Sequence, residues 1–380
     1  MGDVITIGVD LAKSVFQVHG IDAEGSIVVR RQLRRHQVVP FFEKLPPCLV
    51  GMEACATSHH WAREFEQLGH RVRLMPPRYV KAYVKNQKND AADAEAICEA
   101  VSRPTMRFVE IKTTEQQSVL ILHRTRQMFV RQRTTLINAI RAHLAEFGIV
   151  AQIGRNGVDV LLRIIGEHED SRLPEVARSC LKALVTQLHL VKRQILEADR
   201  RILAWHRSNE TSRRLDSIPG VGPLVATALV ASVPNPQAFK SGRDLAAWIG
   251  LVPKQNSSGG KARLGGISKH GNRYLRMLLT VGALAVIRYA ETHGTAHRPW
   301  LARLLERRPA KVAAIALATR SLAWLGSSWR AANAIGSRPS RAHEIARHEA
   351  RQPNGKGNCD VMRTPVDPGT RTTHLCQRIA

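Results

Sequence analysis

Residues Val4-Ile5-Thr6-Ile7-Gly8-Val9-Asp10-Leu11-Ala12-Lys13-Ser14-Val15-Phe16-Gln17-Val18-His19-Gly20-Ile21 decide the fold. Residues 4–9 form a short run rich in β-branched side chains that closes on Gly8-Val9-Asp10. Val15–Ile21 is a second run, apolar at Val15, Phe16, Val18 and Ile21. Ala12-Lys13-Ser14 between them is as short and polar as a hairpin requires. Asp22-Ala23-Glu24-Gly25 plays the same part before a third run, which begins at residues 27–29. Residues 48–52 make a fourth apolar run ending at Glu53, residues 58–68 read as helix, and Arg71–Met75 reads as a strand before Pro76-Pro77. Three antiparallel strands followed by alternating strand and helix predict an α/β domain over residues 1–112, extending to about 150 on a longer reading.

The pattern then turns helical. Residues 115–147 are rich in Arg, Gln and Leu. Within residues 177–206, Leu181, Leu184, Val185, Leu188, Val191, Ile195, Leu196 and Ile202 recur at three- and four-residue steps. Two long helices over residues 113–211 fit either a coiled-coil arm or a helical hairpin packed on the core. Residues 212–330 form a further helical unit with Pro and Gly punctuation. The basic tail, residues 331–380, has no periodicity and is expected to be disordered.

The formal charge of +26 over 380 residues points to a polyanionic partner. No apolar stretch is long enough to span a membrane, and the amino terminus reads as a strand and not as a signal peptide. Nucleic acid is therefore the expected partner. Cys48, Cys55, Cys98, Cys180, Cys359 and Cys376 form no Cys-x-x-Cys pair. Their spacing argues against a zinc site or a disulfide framework, and suits free thiols in a reducing cytoplasm.

Four acids stand out. Asp10 ends the first strand and Glu53 the fourth. Asp90 and Asp93 sit in Lys88-Asn89-Asp90-Ala91-Ala92-Asp93-Ala94-Glu95-Ala96-Ile97, an Ala-rich helical segment in which positions three apart share a face. Phosphodiester cleavage needs charge stabilised on the attacking and leaving oxygens, which two Mg²⁺ ions about 3.5–4 Å apart can provide. Several carboxylates converging at one end of a sheet would hold them, because Mg²⁺ takes hard oxygen ligands. Each acid also has an ordinary reading. Asp10 and Glu53 could be strand-end charges; Asp90 could cap a helix whose dipole favours Asp93.

Ile218-Pro219-Gly220-Val221-Gly222-Pro223 is a helix-hairpin-helix-like turn. Gly220 and Gly222 would let the backbone approach a phosphate, or simply make a tight turn between helices. The stretch from Gly250 to Arg276 joins glycines and serines to six cations: Lys254, Lys261, Arg263, Lys269, Arg273 and Arg276. It lacks the order of a nucleotide P-loop. A serine there could attack phosphorus with the cations neutralising charge, or the loop could only bind phosphate.

In these motifs the chain resembles the transposases of insertion-sequence family 110, the DEDD transposases related to Piv-type DNA invertases, and most of all the subgroup named after insertion sequence 1111. The resemblance spans roughly residues 4–317. It is carried by Ile7-Gly8-Val9-Asp10-Leu11-Ala12-Lys13, Gly51-Met52-Glu53-Ala54-Cys55, Lys88-Asn89-Asp90-Ala91-Ala92-Asp93-Ala94, the Ile218–Pro223 turn and the block from Ser258-Gly259 to Leu275-Arg276. It implies a RuvC-like domain of RNase H-like fold, a coiled-coil insertion and a carboxy-terminal transposase domain. Asp10, Glu53, Asp90 and Asp93 match the metal-binding acids, with Mg²⁺ as the metal and Mn²⁺ as a substitute. Ser258 matches the nucleophilic serine, with Ser257 as its neighbour and alternative. The resemblance also implies donor and target DNA, a guide RNA encoded by the element, a tetrameric assembly, and a cytoplasmic, nucleoid-associated location in a bacterium. Sequence choice would then lie in base pairing.

One segment departs from the family pattern. After Lys311-Val312-Ala313-Ala314-Ile315-Ala316-Leu317-Ala318, an Asn-Lys-x-x-Ala-Arg helix is usual; here Thr319-Arg320-Ser321-Leu322-Ala323-Trp324 follows. A diverged or frame-shifted ending would disturb the packing of the last helix. Two other readings compete with the recombinase: a RuvC-like nuclease acting by two-metal hydrolysis, and a non-catalytic nucleic-acid-binding protein.

Overall fold

The computed structural model describes residues 3–85, 89–167, 170–294 and 298–336, the last twelve of these by their backbone alone. Lys88 and residues 337–380, most of the expected tail, lie outside the described residues.

Five strands form one mixed sheet in the order β3-β2-β1-β4-β5. They are β1 (Thr6–Leu11), β2 (Val15–Ile21), β3 (Ile27–Arg34), β4 (Leu49–Glu53) and β5 (Arg71–Met75). The first three are antiparallel neighbours, while β4 runs parallel to β1 and β5 parallel to β4. This mixed α/β arrangement is consistent with an RNase H-like domain.

Period-two alternation gives the sheet two different faces. Ile7 and Val9 of β1 join Val50 and Met52 of β4 in a core with Phe16, Phe42, Trp61 and Phe65. That core is closed by α1 (Val38–Phe42) and α2 (Ser58–Gln67). The chain then passes through α3 (Pro77–Val80) to α4 (Asp90–Val101), whose Ala96, Ile97, Ala100 and Val101 join a second core with Met75 and Val80.

Glycine makes the seat of α4. A Cβ on Gly8 would lie 2.2 Å from the Ala94 carbonyl oxygen and 2.4 Å from the Cys98 nitrogen. One on Gly51 would lie 2.8 Å from the Cβ of Val101. Gly8 and Gly51 are register partners on adjacent strands, so α4 crosses the sheet with its middle, Ala94 to Cys98, over β1 and its last residue over β4. Its alanines complete the fit from the other side.

Beyond the sheet, α5 (Thr114–Ala145) and α7 (Glu175–Ser208) are long helices that pack together, with α6 (Arg155–Gly166) between them in sequence. Contacts from Glu115 to Trp205 and from Arg126 to Asp199 make them antiparallel. Their far end has its own core of Ile140, Leu144, Leu161, Ile165, Leu181 and Leu188. There the buried Arg178 guanidinium donates to the carbonyls of Ile164, Ile165, Glu167, Asp170 and Leu173. It so satisfies carbonyls in the last turn of α6 and in the loop after it.

The fourth core gathers α8 (Glu210–Leu215), α9 (Pro223–Ser232), α10 (Gly242–Ile249), α11 (Arg273–His293), α12 (Pro299–Leu305) and α13 (Ala310–Gly336). The helical pair packs on this core as well. His123 of α5 is fully buried and bonded to Thr227 Oγ1 of α9 and to the Tyr274 hydroxyl of α11, each at 3.0 Å. The segment after Ala318, where a different ending was expected, does not break the last helix. Ser321 donates to the Pro219 carbonyl, Leu322 is fully buried, and α13 continues to Gly336, past the boundary expected at 331.

Two outcomes are expected from this packing. Gly8→Ala has only backbone to displace, so urea unfolding should show a loss of about 1–3 kcal/mol or more. Gly166→Ala, with open space around it, should stay within about 0.5 kcal/mol of the parent. Burial pushes His123 down to about 4, below the roughly 6.5 of an exposed histidine. The fold therefore favours neutral imidazole. Its contribution is whole above about pH 6.5 and is lost toward pH 4, at up to about 1.4 kcal/mol per pH unit. Stability measured across that window should fall less steeply in His123→Gln; an unchanged slope would remove His123 from the account.

Candidate active site

The two glycines that seat α4 also place the acids. Asp10 follows Gly8 by two residues and Glu53 follows Gly51 by two, so both carboxylates belong to the face that α4 covers. The α4 end that reaches Asp10 is its amino terminus. There Asp10, Asp90 and Asp93 each offer a carboxylate oxygen, all within 4.8 Å of one another. Asp10 and Asp93 are half-buried and Asp90 is exposed.

Glu53 is not in that group. It ends β4 beside Met75 of β5, and the crossing of α4 explains the difference: its amino terminus lies toward β1, while β4 meets Val101 at the other end. Three of the four sequence-selected acids are thus brought together, with the fourth at the end of the neighbouring strand.

The cap of α4 corrects one reading. Asn89, and not Asp90, is the capping residue: its side chain accepts from the Ala92 amide at 2.8 Å. Asp90 and Asp93 both stand in the first turn. Their carboxylates are released from capping, and the helix dipole still favours their charge. The cluster matches what a divalent cation needs, with hard oxygens from several directions. His19, the register partner of Gly8, is buried on the same face, and loss of hydration holds its pKa below the usual histidine value.

The basic loop is a hairpin. Strands β6 (Pro253–Gln255) and β7 (Leu264–Ile267) pair antiparallel, and Ser258 and Lys261 form a bridge of their own. Between those two lie Gly259 and Gly260, with φ of 55° and 75°. Positive φ at both central residues is what a primed two-residue hairpin turn requires. Ser258 therefore stands at the tip, directly across from Lys261. Ser257 is engaged within the hairpin, its hydroxyl accepting from the Arg263 amide at 3.0 Å and from Gln255 at 3.3 Å.

Lys254, Lys261, Arg263, Lys269 and Arg273 are all exposed along this feature. Arg276 is placed differently. Its Nη1 donates to the carbonyls of Ile249 and His270, at 2.7 and 2.9 Å, and clamps the base of the loop. Gly220 also has a packing role. Its backbone lies against Gly282 of α11, where a Cβ would sit 2.0 Å from the Gly220 oxygen. Gly222 opens α9 with free space around it. What the sequence reading missed are Gly8 and Gly51 as the seat of α4. Their signal was present: each stands two residues before a selected acid, on the same face.

Residues 7–149 match the DEDD transposase model of the IS110 type, and residues 212–298 match the family described as transposase IS116/IS110/IS902. A probable family 20 transposase of Pseudomonas aeruginosa is 49% identical over 83% of this chain and 94% of its own length. A putative transposase of Sinorhizobium fredii, y4pF/y4sB, is 46% identical over 87% of this chain and 86% of its own. The transposase for insertion sequence element IS1111A of Coxiella burnetii is 42% identical over 84% and 88%. Among the described residues no helix is long and apolar enough to cross a membrane, and Cys48, Cys55, Cys98 and Cys180 are free thiols. The chain belongs to the IS110 family of transposases.

Proposed function

We propose that this transposase cuts and rejoins DNA through Ser258, with Asp10, Asp90, Asp93 and Glu53 holding Mg²⁺. The observation that carries the reading is the convergence of the three aspartates at the end of β1. When bound, the divalent ion supplies positive charge to phosphate oxygens during exchange. Mn²⁺ satisfies the same oxygens. Every other role falls to the chain itself.

Ser258 suits the nucleophile better than Ser257. Ser257 is bonded into the hairpin, whereas Ser258 stands at its exposed tip beside Lys261. Its hydroxyl oxygen forms a bond to phosphorus as the strand's own oxygen leaves with a proton. Attack by the joining strand's hydroxyl reverses the exchange and restores the serine. No water is consumed and the number of phosphodiesters is conserved. The exposed Lys254, Lys261, Arg263, Lys269 and Arg273 neutralise the phosphates around the tip, and Gly222 lets the DNA backbone come close to the amino terminus of α9. Gly220 and Arg276 support these elements from below.

The acids stand on the sheet and on the helix α4 that covers it, and the serine on the helical half. The reading joins them in an assembly of several copies, a tetramer, that brings donor and target DNA together. The family resemblance extends it to a guide RNA that pairs with both DNAs, and to the division of the chain at about 112, 211 and 330.

A recombination assay with purified protein, element RNA, both DNAs and Mg²⁺ tests the chemistry. Wild type should give covalent protein–DNA species on a denaturing gel. Ser258→Ala and Asp10→Asn should each lower product by about 10³-fold or more, while Ser257→Ala keeps the adduct. Metal-dependent nicks without adducts, surviving Ser258→Ala, would leave a hydrolytic nuclease instead. Unchanged activity in Asp10→Asn would set the carboxylate site aside.

Lys269 gives a second test. It is a non-glycine residue with positive φ, 57°, a conformation costing roughly 1–2 kcal/mol in an L residue. Lys269→Gly should raise stability by up to about 1 kcal/mol while lowering the salt dependence of DNA binding by about one phosphate contact. An unchanged salt slope would remove Lys269 from the DNA surface.

A further inference from the structure

Residues 319–324, where the sequence reading places a departure from the family pattern, help to line a pocket. It has a volume of about 250 Å³ and opens between Pro219, α12 and the middle of α13. Trp300, Leu317 and Trp324 give it aromatic and apolar walls. Arg298, Arg303 and Arg320 also line it. The departing segment itself supplies Arg320, Ser321 and Trp324.

The walls are ordered. The Arg320 guanidinium lies over the Trp300 ring, 4.8 Å from its centroid, which presents a flat cation on the pocket wall. Trp324 is 57% exposed. The Ser321 hydroxyl holds α13 to the Pro219 carbonyl at 3.3 Å, so the wall of α13 is fixed against the turn that precedes α9.

A ligand fitted to two indoles and three guanidiniums is flat, aromatic and negatively charged. An unpaired nucleotide has both properties in one unit: its base stacks on aromatic and guanidinium planes and its phosphate meets arginine. A base within a duplex has both faces covered by its neighbours and cannot enter. The chain's own end is a poor occupant on charge. Residues 337–380 carry eight Lys and Arg against four Asp and Glu, and would repel three arginines. An acidic peptide would satisfy the arginines but bring no flat ring to the aromatic wall.

We infer that this pocket receives one unpaired nucleotide of the DNA that the transposase handles. The inference rests on the family's action on DNA, and is independent of which serine or metal performs the exchange. An unpaired base so held would mark a melted or distorted position in the strand, and the stacking it recovers on the protein would offset the cost of unstacking it from the duplex.

The test compares one DNA duplex in three forms: fully paired, with a single-thymine bulge, and with the same bulge made abasic. Binding to the full-length protein is followed by fluorescence anisotropy at one salt concentration. The thymine bulge should bind about tenfold more tightly than either other form, as one base stacked on an aromatic side chain gives. Trp324→Ala and Arg320→Gln should each erase that preference, keep affinity for the paired duplex within about threefold, and keep the unfolding midpoint. Equal affinity for thymine and abasic bulges, or a preference that survives both substitutions, would overturn the inference while leaving DNA binding intact. A preference seen with a bulged RNA duplex of the same sequence and absent from DNA would overturn the assignment to DNA. Failure to bind any of the duplexes would overturn this inference and the proposed function together.

Discussion

The close approach of α4 to the sheet is the contact on which the carboxylate site depends. At Gly8 the helix backbone occupies the space that any Cβ would need. At Gly51 the Val101 side chain does the same. Close packing tolerates little intrusion, because interiors are filled to crystal density. A helix lifted off this surface would carry Asp90 and Asp93 away from Asp10. The site is therefore set by the absence of two side chains as much as by the presence of three carboxylates. The cost of clustering like charges falls at the amino terminus of a helix, where unpaired amides and the dipole favour negative charge, and where solvent still reaches Asp90.

The helical half repeats the same device. Gly220 and Gly282 let the turn before α9 lie against α11, and the buried His123 ties α5 to both α9 and α11. The neighbouring residue to Tyr274 is Arg273, at the foot of the serine hairpin. One packed core thus carries the base of the long helical pair and the base of that hairpin. Arg276 fixes the loop where it leaves α10. Among the described residues, the exposed tip is held by its own turn, by the Asn256 amide on the Arg263 carbonyl and by the bonds of Ser257.

Much of the sheet was legible in the sequence. Residues 4–21 predict a hairpin because β-branched runs are separated by a short polar link, and β2 and β5 have the predicted bounds, Val15–Ile21 and Arg71–Met75. The long helices were legible too, since apolar residues recur at helical spacing. Other features carried weaker signals. The strands β6 and β7 are three and four residues long and almost wholly exposed, so no apolar alternation marks them; only Gly259-Gly260 hints at a hairpin. Asp90 was a plausible cap on composition, but Asn89 stands one residue earlier and takes the place. The last helix was underestimated because residues 319–324 do not follow the family ending expected from the sequence, although Leu322 keeps the apolar spacing and is fully buried. The role of Gly8 and Gly51 lies in tertiary packing. Period-two counting from Asp10 and Glu53 puts them on the right face, but nothing in the sequence says that a helix will rest there.

The most direct measurement is Mn²⁺ binding, followed by the loss of the free-ion paramagnetic resonance signal on titration. The comparison is between wild type, Asp93→Asn and Glu99→Gln. Both variants remove one negative charge from α4, but only Asp93 belongs to the acidic group. The account predicts a saturable site in wild type, unchanged in Glu99→Gln and weakened by at least about tenfold in Asp93→Asn. Equal affinity in all three proteins would contradict it.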